Sequence, residues 1–79
     1  MITKMYAVKD ELTGIFMAPA LMRNDAEATR AFKTMINNND IWKDNPSDYS
    51  LFSVGTYNDE TGEVIGASEK IVGGRSVKE

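Results

Sequence analysis

The side chains that carry most protein chemistry are missing from this chain. It has no histidine and no cysteine. That removes the common general base, the thiolate nucleophile, the disulfide and the soft or imidazole metal ligands together. Carboxylates, lysines, tyrosines and hydroxyls remain. An enzyme built from these needs a carboxylate pair in a shielded cleft, whereas the acidic residues here gather in turn-like stretches at 10–11, 40–48 and 58–63. The expectation is a protein with no catalytic residues, no metal and no cofactor.

A second chemistry fits the residues that are present. Single-stranded nucleic acid is held by cations that follow the phosphates and by aromatic faces on which bases stack, at about 1–3 kcal/mol per base. Candidates for that role are Lys4, Tyr6, Arg23, Arg30, Lys33, Trp42, Lys43 and Tyr57, with Lys70, Arg75 and Lys78 as further cations near the C-terminus. Each has a structural competitor. Arg30 and Lys33 also suit a solvated helix face paired with Asp25 and Glu27. Trp42, the only tryptophan, also suits a plug over one end of a sheet. The tyrosines suit either core or surface, and Phe16, Phe32 and Phe52 are assigned to the core. Net charge is −3, from nine Lys and Arg against twelve Asp and Glu. A strongly basic nucleic-acid glove is thereby excluded, but a local basic face is not.

The elements that must position these residues follow from size and periodicity. Seventy-nine residues make one small domain, and a chain of that size buries only about 60–65% of its unfolded surface. A homodimer is a natural way to bury more. Apolar residues at 42% and charged residues at 27% suit a globular rather than a disordered chain. The opening "MITKMYAVKDELTG" carries charge after two apolar residues, far short of the roughly 20 apolar residues of a membrane span. A cytoplasmic protein with no membrane contact is expected.

"KMYAV" (4–8) alternates as a strand, with Tyr6 and Val8 on one face and Met5 and Ala7 on the other. "GIFMAPAL" (14–21) reads as a second strand, ended or pushed to an edge by Pro19. A helix then starts at Asn24 as N-cap with Glu27 three residues on, and Ala28, Ala31, Phe32, Met35 and Ile36 form its apolar stripe. "NNND" ends it near residue 38. Residues 41–49 read as a loop around Asn45-Pro46, "YSLFSVGTY" (49–57) as a strand and "EVIGA" as its partner, which "EKIV" extends. The order β-β-α-β-β implies an α+β fold, an antiparallel sheet of two β-hairpins with one amphipathic helix on one face. Residues 1–72 form that domain and 73–79, opened by two glycines, form a flexible C-terminal tail.

The stretches "KDELTG" and "NDETG" echo each other. A calcium loop is disfavoured because Val64 and Gly66 fall at ligand positions of the second. A phosphate loop wants more glycines and a following helix. Hairpin turns, closed by glycine at positive φ, need only what is there.

The central block "AEATRAFKTMINN" followed by "NPSDYSLFSVGTYNDETGEV" resembles the small nonstructural protein of gokushovirus-type microviruses, phages with circular single-stranded DNA. The likeness runs over about residues 4–67 and contains no catalytic signature. It implies a non-enzymatic protein of the host bacterial cytoplasm that acts in viral DNA replication and binds DNA; with the cations and aromatics above, the expected activity is contact with single-stranded DNA without sequence preference. The alternative is an interaction module that forms a homodimer or recruits a viral or host replication protein without touching DNA.

Overall fold

The computed structural model describes residues 1–79. In chain order it contains β1 (Ile2–Asp10), β2 (Ile15–Phe16), β3 (Ala20–Met22), α1 (Asp25–Asn38), α2 (Asp40–Asp44), a 3-10 turn (Pro46–Asp48), β4 (Tyr49–Asn58), β5 (Val64–Gly73) and α3 (Gly74–Val77). Every strand pairing is antiparallel. The sheet order is β2-β1-β4-β5, with β3 also paired to β1. The fold is the expected α+β arrangement of two hairpins around a helix.

Pro19 explains why the second strand comes in two pieces. It has no N–H to donate, and the chain leaves the ladder between β2, opposite Lys9 and Asp10, and β3, opposite Lys4, Met5 and Tyr6. The helix begins as its sequence dictates. Asn24 is extended, at φ −160° and ψ 173°, and its Oδ1 accepts from the Glu27 N–H at 2.8 Å. Ala28, Phe32 and Ile36 are buried against Tyr6, Val8 and Leu51 of the sheet and form the core.

Both expected hairpin turns are present, built alike. Asp10 Oδ1 accepts from the Leu12 N–H at 3.0 Å, and Asn58 Oδ1 accepts from the Glu60 N–H at 2.9 Å. Gly14 and Gly62 then close the loops at φ 75° and 77°, through N–H bonds of 2.8 and 2.7 Å to the carbonyls of Asp10 and Asn58. The structural equivalent of Asp10 is therefore Asn58 and not Asp59.

Two expectations are corrected. Residues 41–49 are not a plain loop: Asn39 accepts from the N–H groups of Ile41 and Trp42 at 3.0 and 3.3 Å and caps the short helix α2. The side chain read as stopping one helix starts the next. Nor do residues 73–79 form a loose tail. Gly74 is buried, and a Cβ there would lie 2.3 Å from the Pro46 carbonyl oxygen and 2.8 Å from Ile36 Cδ1. Asn37 Nδ2 donates to the Val77 carbonyl at 3.0 Å, and the Glu79 N–H donates to Asn37 Oδ1 at 2.8 Å. Glycine acts here as the residue that lets a close-packed turn approach the helix, not as a hinge.

The molecule measures 41 × 23 × 16 Å, a thickness suited to one sheet and one layer of helix roughly 10 Å across. Trp42 of α2 and Val77 of α3 pack against the same core as α1, so the helical segments share one face of the sheet. No element covers the other.

Candidate nucleic-acid interface

Strand alternation and register assign the side chains of the uncovered face. On β1, Tyr6 and Val8 point into the core, so Thr3, Met5, Ala7 and Lys9 point away from it. Cross-strand partners share a face. Phe52 stands opposite Ala7, Ser50 opposite Lys9 and Tyr57 opposite Thr3. On the flanks, Phe16 of β2 is opposite Lys9, and Lys70 of β5 is opposite Phe52.

These side chains meet. The Phe16 and Phe52 rings are edge to face at 81°, with centroids 5.1 Å apart, and Lys9 Nζ lies 5.6 Å from both. This is favourable aromatic and cation–π geometry. Phe16 is 39% exposed, and Phe52 and Tyr57 are half-buried. Both phenylalanines were expected in the core. Register places them on the opposite face, a correction that no single-strand pattern supplies.

One carboxylate borders the aromatic cluster. Glu11 accepts from Ser50 Oγ at 2.9 Å and pairs with Lys9 at 3.3 Å. The Ser50 hydrogen bond first, and then Lys9, hold its carboxyl below the ordinary glutamate range, so it is charged and offsets Lys9. Lys70 enters no ion pair. The face is thus aromatic with a modest positive bias.

Most of the residues expected to bind nucleic acid do not converge. Tyr6 is 2% exposed and donates its hydroxyl to Asp25 Oδ1 at 2.5 Å; its ring is core and offers no surface to a base. Burial first, then Asp25, pushes its pKa well above that of a free tyrosine. Lys4 pairs with Asp25 at 3.3 Å, Arg23 with Glu27 at 3.3 Å and Lys33 with Glu79 at 4.0 Å. Arg30 is exposed and makes no ion pair. Trp42 stacks on Tyr49, centroids 4.3 Å apart and planes 15° from parallel, which is its plug reading. Lys43 stands with Arg75 and Lys78 around the 3-10 turn. Of the expected set only Tyr57 lies on the uncovered face. Lys9 went unread, although the core positions of Tyr6 and Val8 imply that it points outward.

No helix is long and apolar enough to cross a membrane. No curated protein and no solved structure matches the chain significantly. The family model described as phage ORF5 protein does match, over residues 3–77. That span takes in both capped helices and all of the strands except Ile2, so this chain is a phage protein and belongs to the phage ORF5 protein family.

Proposed function

We propose that this phage protein binds single-stranded DNA without sequence preference, through the uncovered sheet face, in support of viral DNA replication in the host bacterial cytoplasm. The likeness to gokushovirus-type microvirus nonstructural proteins supports the replication role. The observation that carries the binding role is the partly exposed Phe16–Phe52 pair with Lys9 beside it and Lys70 opposite. Aromatic faces stack bases and lysines follow phosphates, as on other sheet platforms. The protein acts as a non-enzymatic binder that needs no cofactor.

The test is fluorescence anisotropy with a labelled oligothymidylate at low and moderate salt. Binding is expected at low salt, weakening as salt rises, at about −0.7 in log–log slope per phosphate engaged. Phe52→Ala is expected to cost about 1–3 kcal/mol of affinity. Absence of binding at low salt sinks the reading.

A second reading, the homodimer without DNA contact, is favoured by one apolar feature. A cavity of about 110 Å³ lies between α1 and the Met17–Met22 stretch, and Met17, Leu21 and Met35 nearby are 37%, 51% and 42% exposed. A chain that elutes as a dimer and ignores DNA at low salt supports this reading instead.

A further inference from the structure

The end of β5 carries a second feature that the aromatic cluster does not use. A shallow cleft of about 570 Å³ opens between this strand end and the 3-10 turn, within the roughly 300–1,000 Å³ of small-ligand sites. Two cations line it, Lys70 and Arg75, and neither forms an ion pair. Lys70 Nζ folds back to 3.9 Å from where a Gly73 Cβ would stand. Arg75 Nη1 donates to Ser47 Oγ at 3.3 Å. That bond occupies the Ser47 oxygen as acceptor and leaves its proton free to donate, alongside the hydroxyl of Ser76 on the same wall. Gly73 lies between the cations without a side chain, so an oxygen-rich group can approach the backbone.

The cleft also holds a carboxylate, Glu11. Its oxygens are taken by Ser50 and Lys9, and it comes within ion-pair distance of neither Lys70 nor Arg75. It disfavours anions at one end; at the other, Arg75 also borders Asp44 and Asp48 without an ion pair to either. Two cations outside any ion pair, Lys70 in the field of Glu11, with free hydroxyl donors suit a tetrahedral oxyanion. Position narrows the class further. Lys70 is the cross-strand partner of Phe52, Gly73 that of Ser50, and Ser50 shares the uncovered face two residues from Phe52. A strand stacked on the aromatic pair reaches the cleft with its own backbone.

We propose that Lys70, Arg75, Ser47 and Ser76 form a phosphodiester-binding subsite, which takes the backbone phosphate of a single strand whose bases lie on Phe16 and Phe52. The subsite rests on the single-strand reading above. It fixes the path of that strand, along the uncovered face toward the end of β5, beside Glu11 of the first hairpin turn and away from the acidic second turn.

The experiment has two arms. In the first, oligothymidylate affinity is measured against salt for the wild type, for Lys70→Ala with Arg75→Ala, and for Phe52→Ala. The double variant is expected to bind at least tenfold more weakly at low salt and to lose about 0.7 of slope for each phosphate released. Phe52→Ala is expected to lose affinity and keep its slope, and Arg75→Lys to retain most of the binding. Unaltered thermal melting of each variant shows that the fold is intact. In the second arm, inorganic phosphate is titrated into the 15N-labelled wild type while the amides of Gly73, Gly74 and Ser76 are followed. DNA binding with an unchanged slope in the double variant overturns the subsite and leaves the aromatic platform standing. Phosphate-induced shifts without DNA binding overturn the phosphodiester assignment together with the single-strand function and leave a small-anion site. Neither response overturns both.

Discussion

Two hydrogen bonds to one carboxylate tie the first strand to the start of the helix. The buried Tyr6 hydroxyl donates to Asp25, which Lys4 also reaches. Removing the hydroxyl with Tyr6→Phe is expected to destabilise the domain by about 1–2 kcal/mol, toward the low end for charge-assisted bonds because the half-exposed Asp25 regains water. Chemical denaturation of the two proteins checks it. The same contact predicts two pH limbs. Tyr6 first, and then Lys4, lower the Asp25 pKa, so the stability this carboxylate supplies is present above its unfolded pKa of about 3.9 and drains away as pH falls through the lower folded value. The Tyr6 pKa is raised, so its contribution is complete below about pH 10 and is lost as pH climbs toward the folded value. Tyr6→Phe should flatten both limbs in melting curves across pH; a variant with the wild-type profile shows that the contact does not persist in solution. At this scale the sequence was half legible. The Asn24 cap and the turn glycines could be read because their partners lie within a few residues. Tyr6 could not, because its partner is 19 positions away.

Elements were legible where periodicity or capping is local. Of the expected helix stripe, Ala28, Phe32 and Ile36 are inside, Ala31 is half-buried and Met35 is exposed, and Asn24→Ala should cost about 1 kcal/mol of stability by removing its cap. The short helices were missed for different reasons. In α2 the run of asparagines served two caps at once, and in α3 the glycines signalled flexibility while tertiary packing imposed order. That second miss is testable. In Gly74→Ala the new methyl has nowhere to go between the Pro46 carbonyl and Ile36, and an overpacking cost of about 1–3 kcal/mol is expected. Hydrogen exchange should quicken at Glu79, whose N–H bonds to Asn37, if α3 comes off the helix. An unchanged melting temperature and unchanged exchange would show that the packed turn is not what holds the end of the chain.

At the scale of the whole molecule, fold class was readable but facing was not. Knowing that Phe16, Phe52 and Tyr57 sit on strands says nothing of which side they share until β1, β4 and β5 are registered against one another, and the irregular pairing near Met5 and between Ser53 and Gly55 defeats simple alternation. The helix cations looked like the natural DNA face; register points instead to the sheet. Charge reversal separates the two. At about 0.15 M salt, where charges more than about 8 Å apart are largely screened, Arg30→Glu with Lys33→Glu should leave oligothymidylate affinity within about twofold, since neither touches the uncovered face. A tenfold loss would move the site back to the helix. The platform has one more property, which comes from the two residues of β2. Half of the aromatic pair rides on the shortest strand in the sheet, a fringe expected to breathe more freely than the centre. A ligand that grips Phe16 must still that fringe, and so should slow amide exchange at Phe16 and Met17 while β4 hardly changes. Occupancy would then register as quieted motion at the margin before any change of shape.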